Sequence, residues 1–538
     1  MSSMCLFESA GMAGLKPLRF RDPRRLQDFR LSVMTLGMNR TTHSPNVAYS
    51  LAFLVVLGAG VLTGRHVATW PVRIRYPGEQ SFVEGMRLAE MVHLRQGLRI
   101  YDPPTPGRFD AAIYGPLYYL LGARLVDFEE PSLLPLRLIS LIGTLGCMVE
   151  CALLAFWISK SPAATALAPL LFLSYGIVTF YGSSARCDLV ALALLFGGFL
   201  VSYRFRNCRA LLLGAPLMLL GFFYKQQFVA APLGVLLFLL VERRYRLAAE
   251  FGALITFGGL ASLGFFQFVI FRGQAFLAHF LRYNMLPLTP AQFAAGAAGF
   301  VLMLLVPLLL GLKCLRAHQD KLLACYLGSA VFLALATLAK EGSSTNYYLE
   351  CVLILSPVLA ALLRERAQEP AYAAGLLAVL ILCFLSGRWF ARPQPEQIDF
   401  ARDRAVQDYL REHFSPRTPA LSVFTGDLVR AGLDAPVSDL YQYTQLIRKG
   451  TLSDRDLLGQ LRDRRFGVIA LNFDLESERN PQRLERYLTE PLRRSILENY
   501  RPSASLDMPA PEKLYAPDRF YIWIPENTPQ SGQAPTAN

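Results

Sequence analysis

Four places in the chain set ionisable side chains against apolar segments, where an unpaired charge is expensive and such groups tend to face a polar cavity. Glu79 and Glu84 lie in YPGEQSFVEGMRLAEM, immediately after the first apolar segment. If the helix that follows extends back through Glu79, then Glu79, Phe82, Val83, Met86 and Glu90 share one face at about 100° per residue. A carboxylate on an apolar face is a candidate general base, whereas Glu84, off that face, is equally a solvated interfacial carboxylate. Asp188 opens an apolar segment in YGSSARCDL, a place that suits an N-cap as well as a polar cleft. Lys225, in FFYKQQF, is a candidate anion contact or a snorkelling side chain. Glu350, about one turn into its helix after KEGSSTNYYLE, needs either a partner or interfacial water.

No P-loop, Gly-rich dinucleotide turn, H-E-x-x-H or G-x-S-x-G occurs in a supporting context, which argues against nucleotide hydrolysis and serine hydrolase chemistry. The net charge of +13 is spread through loops rather than gathered into a nucleic-acid face.

The elements that must position these residues are membrane helices. Of the 538 residues, 53% are hydrophobic, above ordinary soluble usage. Apolar segments fall near Val47–Thr63, Leu133–Trp157, Ala163–Phe180, Leu189–Ser202, Ala210–Phe223, Val229–Val241, Leu247–Phe271, Ala294–Leu312, Leu322–Leu338, Tyr347–Leu363 and Tyr372–Leu385. A span needs roughly 20 residues, so the pattern predicts about eleven transmembrane helices. With the N-terminus inside, Lys160, Arg204, Arg206, Arg209, Arg243, Arg244, Arg246, Lys313, Arg316, Lys321, Arg364 and Arg366 fall on the cytoplasmic side. The opposite short loops carry only Arg186, Lys225 and Lys340, as the positive-inside rule requires. The long loop at 67–130 and the C-terminal region are then extracytoplasmic. Cys5 lies in the N-terminal tail and the other eight cysteines in or at the ends of spans, so no disulfide framework is expected.

Residues 1–45 read as a basic cytoplasmic tail without a cleavable signal, with Met34 and Met38 as alternative starts. A helix over Gly85–Gln96 is too short to cross and is expected along the interface, with Tyr114, Tyr118 and Tyr119 in the aromatic belt. Arg392, Pro393 and Pro395 mark the exit from the membrane domain, 46–390. Helix-like stretches at Phe400–Phe414 and Ser453–Arg465, and strand-like runs at Leu421–Phe424, Phe466–Phe473 and Phe520–Ile524, predict a small α/β domain over 391–525. Residues 526–538, rich in Pro, Gln, Ser and Asn, read as disordered.

Taken in order, these places resemble the membrane-embedded GT-C glycosyltransferases, which include protein O-mannosyltransferases, the aminoarabinose transferase of lipid A and lipopolysaccharide galacturonosyltransferases. Gly78-Glu79-Gln-Ser-Phe-Val-Glu84, Gly97-Leu-Arg-Ile-Tyr101 and Tyr114-Gly-Pro-Leu-Tyr-Tyr119 look like the family's first-loop motifs. Ala185-Arg-Cys-Asp188, Lys225-Gln226 and Asn346-Tyr-Tyr-Leu-Glu350 look like its later ones. The family's leading Asp of the Asp-Glu pair is Gly78 here, which passes the base role to Glu79, or to Glu84 in another register.

The resemblance implies an α-helical polytopic protein of the bacterial inner membrane that moves a sugar from a polyprenyl-phosphate donor to an envelope acceptor on the outer side. A lipid phosphate is a good leaving group, so the chemistry needs a base for the acceptor hydroxyl rather than a strong acid. Glu79 as base and Asp188 form the expected catalytic pair, with inversion in one displacement; Asp188 either orients the acceptor or joins Glu79 in holding a divalent metal. Lys225 and Arg186 stabilise the leaving phosphate, and Glu84, Tyr347 and Glu350 complete the substrate contacts. A transporter or flippase is the main rival, though no internal repeat of that class is visible; an envelope-assembly scaffold is a third possibility.

Overall fold

The computed structural model describes residues 45–103, 107–366, 368–390, 400–476, 481–507 and 519–527. The basic tail, the Arg392–Pro395 exit and the end of the expected C-terminal tail lie outside them.

Every one of the eleven apolar segments falls on helix. Among the described residues, five helices are each long and apolar enough to cross a bilayer: Asn46–Arg75, Leu134–Ser159, Tyr245–Ile270, Pro290–His318 and Thr345–Glu365. A sixth span is a bent pair, Pro162–Ser174 and Gly176–Ser183, meeting at 76°. Its break is at Tyr175, whose extended backbone (φ −78°, ψ 118°) leaves the helical ladder. The other apolar segments form shorter helices such as Ala230–Val241 and Lys321–Thr337. The chain is a multi-pass membrane protein, and the shorter apolar helices fall below the length that crosses the hydrocarbon as one straight helix.

Helix boundaries follow local chemistry. Thr289 and Asp320 cap the helices after them by accepting from Gln292 N and Leu323 N. Pro116, Pro162 and Pro290 sit where a helix's first N–H groups have no partner in any case. Gly143 lets two helices meet closely, because a Cβ there would strike the backbone of Leu189 and Val190. The loops expected on the cytoplasmic side converge at one end: Tyr203 bonds Asp320 at 2.7 Å and Lys321 bonds Glu242 at 2.7 Å.

At the other end sits the C-terminal domain, a four-stranded sheet in the order β1-β2-β4-β3. β1 (Ala420–Ser422) runs parallel to β2 (Val468–Leu471), and β4 (Arg519–Pro525) is antiparallel to both β2 and β3 (Tyr500–Asp507). The expected helices appear at Phe400–His413 and Arg455–Arg462; β3 and the helices Thr425–Arg430, Leu440–Arg448, Pro481–Tyr487 and Glu490–Asn499 carried too short a pattern to be anticipated.

Three expectations for the first loop are corrected. The helix runs Phe82–Arg95 and does not lie along a membrane surface: Glu84 through His93 are all buried, because the C-terminal domain covers the face that was expected to meet headgroups and water. Glu79 precedes this helix, since Ser81 at its N-cap is fully extended (φ −156°, ψ 148°). Tyr118 and Tyr119 are buried as well, at 1% and 0% exposure, rather than belted at an interface.

Candidate functional site

Glu84 is the hub of the first loop. Its carboxylate accepts from Arg137 Nε at 3.0 Å and Nη2 at 2.8 Å, from Gln80 N at 2.5 Å and from Ala185 N at 2.5 Å. These four donors use the acceptor positions a carboxylate has, so Glu84, expected among the substrate contacts, has none to offer a substrate. Burial alone would raise its pKa, yet Arg137 and the two backbone N–H groups hold it below the usual range. Arg137 also donates to the carbonyls of Tyr76, Arg73 and Gly78. Arg73 in turn bonds Gln80 Oε1 at 3.1 Å and Ser183 Oγ at 3.0 Å. One ionised carboxylate thus pins the backbone next to Glu79 to the backbone next to Arg186, 101 residues apart between its own position and Ala185.

Beyond that pin lies a cationic cluster. Asp188 Oδ1 accepts from Lys225 Nζ at 2.5 Å and from Asn346 Nδ2 at 3.0 Å. Its Oδ2 lies 3.6 Å from Arg186 Nε. Asn346 also bonds Gln227, and Gln226 anchors the segment to the carbonyls of Ile113 and Phe280. Lys225 and Arg87 both face the ring of Tyr114, at 5.1 and 5.0 Å, and Arg186 lies 5.1 Å from the centroid of Tyr181. Two cations therefore share one carboxylate. Arg186 is only 8% exposed, and its Nε finds no hydrogen-bond acceptor among the described residues. A buried excess of positive charge with an unused donor could hold an anion.

Glu79 keeps different company. Gly85 N donates to its Oε2 at 3.1 Å, while Oε1 is buried and unpaired among the described residues. Gly426 of the C-terminal domain packs directly on the carboxyl, where any side chain would collide. Burial raises its pKa well above the usual carboxylate range, and the neighbouring Asp427 and Glu84 add to the effect against Arg430. Asp427 is raised too, by burial, against Arg430 and a bond from Gln407. Among the described residues Glu79 and Asp188 have no hydrogen-bond partner in common; what links their segments is Glu84.

Glu350 and Tyr347 follow Asn346 in the chain. Glu350, 6% exposed, neighbours Tyr326 and has one oxygen unpaired among the described residues. Tyr347 receives Lys340 over its ring at 5.9 Å.

Sequence reasoning missed three contributors. Arg137 could have been found as a lone charge inside an apolar segment, LPLRLISL. Arg87 and Asp439 carry no local signal: Arg87 bonds Glu90 at 2.7 Å, Tyr119 at 2.7 Å and Asp439 at 2.9 Å, the last 352 residues away. Burial pushes Glu90 up to about 7, although Arg87 and a bond from Ala112 N pull the other way.

A divalent metal held by Glu79 and Asp188 does not fit this arrangement. Lys225 and Arg186 already occupy both sides of Asp188, and a third cation would meet them; Glu79 belongs to another carboxyl group's surroundings. Among the described residues, the His, Cys and acidic side chains that do come close enough to hold an ion, Cys314, His318 and Glu365, are at the opposite end of the bundle, where His318 and Glu365 already form a 2.7 Å pair.

This chain has the GT-C glycosyltransferase fold. The crystal structure of ArnT from Cupriavidus metallidurans bound to undecaprenyl phosphate matches 86% of this chain and 97% of its own, with a TM-score of 0.53 and 11% identity. The apo ArnT structure from the same organism covers the same shares at 10% identity and a TM-score of 0.49. No family sequence model matches the chain, and no curated protein matches it in sequence.

Proposed function

We propose that this protein is an integral-membrane glycosyltransferase of the bacterial inner membrane, which moves a sugar from a polyprenyl-phosphate donor to an envelope acceptor on the extracytoplasmic side. The observation that carries this reading is Arg186, buried, sharing Asp188 with Lys225 and holding an unused hydrogen-bond donor. A phosphate bearing one negative charge would balance the cluster. The ArnT structure was solved with undecaprenyl phosphate bound, and its overall likeness to this chain supports the same class of donor here.

In this mechanism the acceptor oxygen attacks the anomeric carbon as the bond from that carbon to the phosphate oxygen breaks, which inverts the centre. The electron pair departs with the phosphate, where Lys225 and Arg186 stabilise it in a dry site. Asp188 and Asn346 hold Lys225 in place. Glu79 takes the acceptor proton. A carboxylate whose proton affinity is raised by burial is a stronger base than a solvated one, and Oε1 is its unpaired atom.

Purified protein is incubated with a panel of polyprenyl-phosphate sugars and envelope extract, and release of the lipid phosphate is measured. Turnover of at least one donor is expected. Lys225→Gln should lower kcat/KM by roughly two to three orders of magnitude, the scale for loss of one charge-stabilising donor. Glu79→Gln should abolish transfer while donor binding persists. A wild-type protein that binds lipid phosphate yet turns over no donor, or moves it between leaflets without sugar transfer, would sink the enzyme and favour a transporter.

A further inference from the structure

Just past the end of the Phe82–Arg95 helix, the first loop borders a partly open pocket of about 280 Å³, lined among the described residues by Gly97, Leu98, Arg99, Asp102, Arg108 and Asp110. The loop turns into it at Gly97, whose φ of +81° belongs to the left-handed region that a glycine enters freely. Its polar atoms are held in place from behind. Asp110 Oδ1 is bonded to His93 Nδ1 at 2.8 Å, and Arg108 Nη2 to Asp434 Oδ1 of the C-terminal domain at 2.8 Å. Each of these side chains has one atom left over: Asp110 Oδ2 and Arg108 Nη1 are buried and meet no hydrogen-bond partner among the described residues. Asp110 is only 4% exposed. An orphaned buried acceptor and an orphaned buried donor on the residues of one lining are costly unless a ligand or ordered water satisfies each.

The charge distribution selects the ligand class. Arg99 pairs with Asp102 at 3.1 Å, and the two arginines of the lining are matched by its two aspartates. Unlike the Arg186–Lys225–Asp188 cluster, this pocket has no excess charge with which to attract a phosphate or a carboxylate. Among the described residues Leu98 is the only apolar side chain of the lining, and a hydrocarbon ligand would leave the orphaned polar atoms unsatisfied. A neutral polyhydroxylated ring suits it: one hydroxyl donates to Asp110 Oδ2, and another accepts from Arg108 Nη1. At 280 Å³ the pocket is smaller than the roughly 300–1,000 Å³ of sites for drug-sized ligands, which matches a single sugar ring. The same loop continues to Tyr114, over which Lys225 and Arg87 lie.

We propose that this pocket is a saccharide subsite, taking a neutral sugar ring of the acceptor while the donor phosphate occupies the cluster around Arg186. Its role as acceptor site rests on the glycosyltransferase reading; its binding of a saccharide does not, and can be measured without turnover. Full-length protein in nanodiscs is tested by saturation-transfer NMR against glucose, galactose, mannose and N-acetylglucosamine. At least one sugar should receive saturation, and Arg108→Gln should weaken its binding by roughly three- to tenfold, the value of one hydrogen bond. Asp110→Asn should act similarly, with circular dichroism confirming the fold because Asp110 also holds His93; Arg108, which is partly exposed, provides the variant least able to unfold the loop. Lys225→Gln should leave the signal intact. The proposal is overturned if no sugar receives saturation, if the folded Arg108→Gln protein binds as the wild type does, or if inorganic phosphate displaces the sugar.

Discussion

Glu84→Gln should be among the most damaging conservative changes in the chain, although Glu84 touches no substrate in the proposed mechanism. Glu84 and Arg137 are both fully buried, with 2.8 Å between Oε2 and Nη2. Removing one partner of such a pair strands the other charge, at a cost of about 3–5 kcal/mol, against a total stability of about 5–15 kcal/mol for a folded domain. The glutamine keeps the shape and one acceptor oxygen, so one of the bonds from Gln80 N and Ala185 N survives while the Arg137 charge goes unanswered. Arg137→Met leaves the carbonyls of Arg73, Tyr76 and Gly78 without their donor, at about 1–3 kcal/mol for each that stays unsatisfied. In the double variant no charge is stranded, so the two changes together should cost less than their sum, with a coupling of about 2–3 kcal/mol. The assay is equilibrium unfolding in mixed micelles for all four proteins of the cycle. pH provides a second readout. Glu84 is held below its unfolded value, so its stabilisation is complete above the ordinary carboxylate range and is lost as pH falls through the folded value. The difference between wild type and Glu84→Gln should therefore shrink on acidification. A Glu84→Gln protein within about 1 kcal/mol of wild type, with coupling below about 0.5 kcal/mol, would refute the assignment of this carboxylate as the hub.

Asp427→Asn removes a carboxyl that raises the proton affinity of Glu79, so the acidic limb of the kcat/KM profile should move to lower pH; an unmoved limb would show that the two do not interact. Glu79 and Asp427 both have raised folded values, so their contribution to docking the C-terminal domain is fully present below the ordinary carboxylate range and declines as pH rises through the folded ones. Limited proteolysis should accordingly release the C-terminal domain faster as pH rises, with a flatter dependence in Glu79→Gln. Gly143→Leu pushes a side chain into the backbone of Leu189 and Val190 and should displace the helix that begins at Asp188. Folded yield should fall sharply, and normal yield with normal lipid-phosphate binding would contradict the crossing seen here.

Much of this molecule could be read directly from residue order. Hydrophobic segments of about one bilayer's length, and cations confined to alternate loops, are local properties of the chain, and they placed helices at all eleven segments. Ionisable groups beside apolar runs stand out because they are costly there, which marks Asp188 and Lys225, and the structure brings both together with Arg186, which the resemblance alone marks. The amphipathic pattern of Phe82–Arg95 was equally visible, but pattern alone cannot say whether a polar face meets water or another part of the protein. Here it meets Asp439, Ser438 and the Thr425–Arg430 helix.

What residue order determined, then, was the set of helices and the cost of the charges embedded among them, because both depend on near neighbours in the chain. Tertiary structure alone decided which charge answers which. Glu84 went to Arg137 instead of to a substrate, Glu79 went under Gly426, and Arg87 went to a carboxylate from the far end of the chain. The physical reason is that a buried ion pair forms wherever folding brings opposite charges into the same dry space, and sequence separation contributes nothing to its strength.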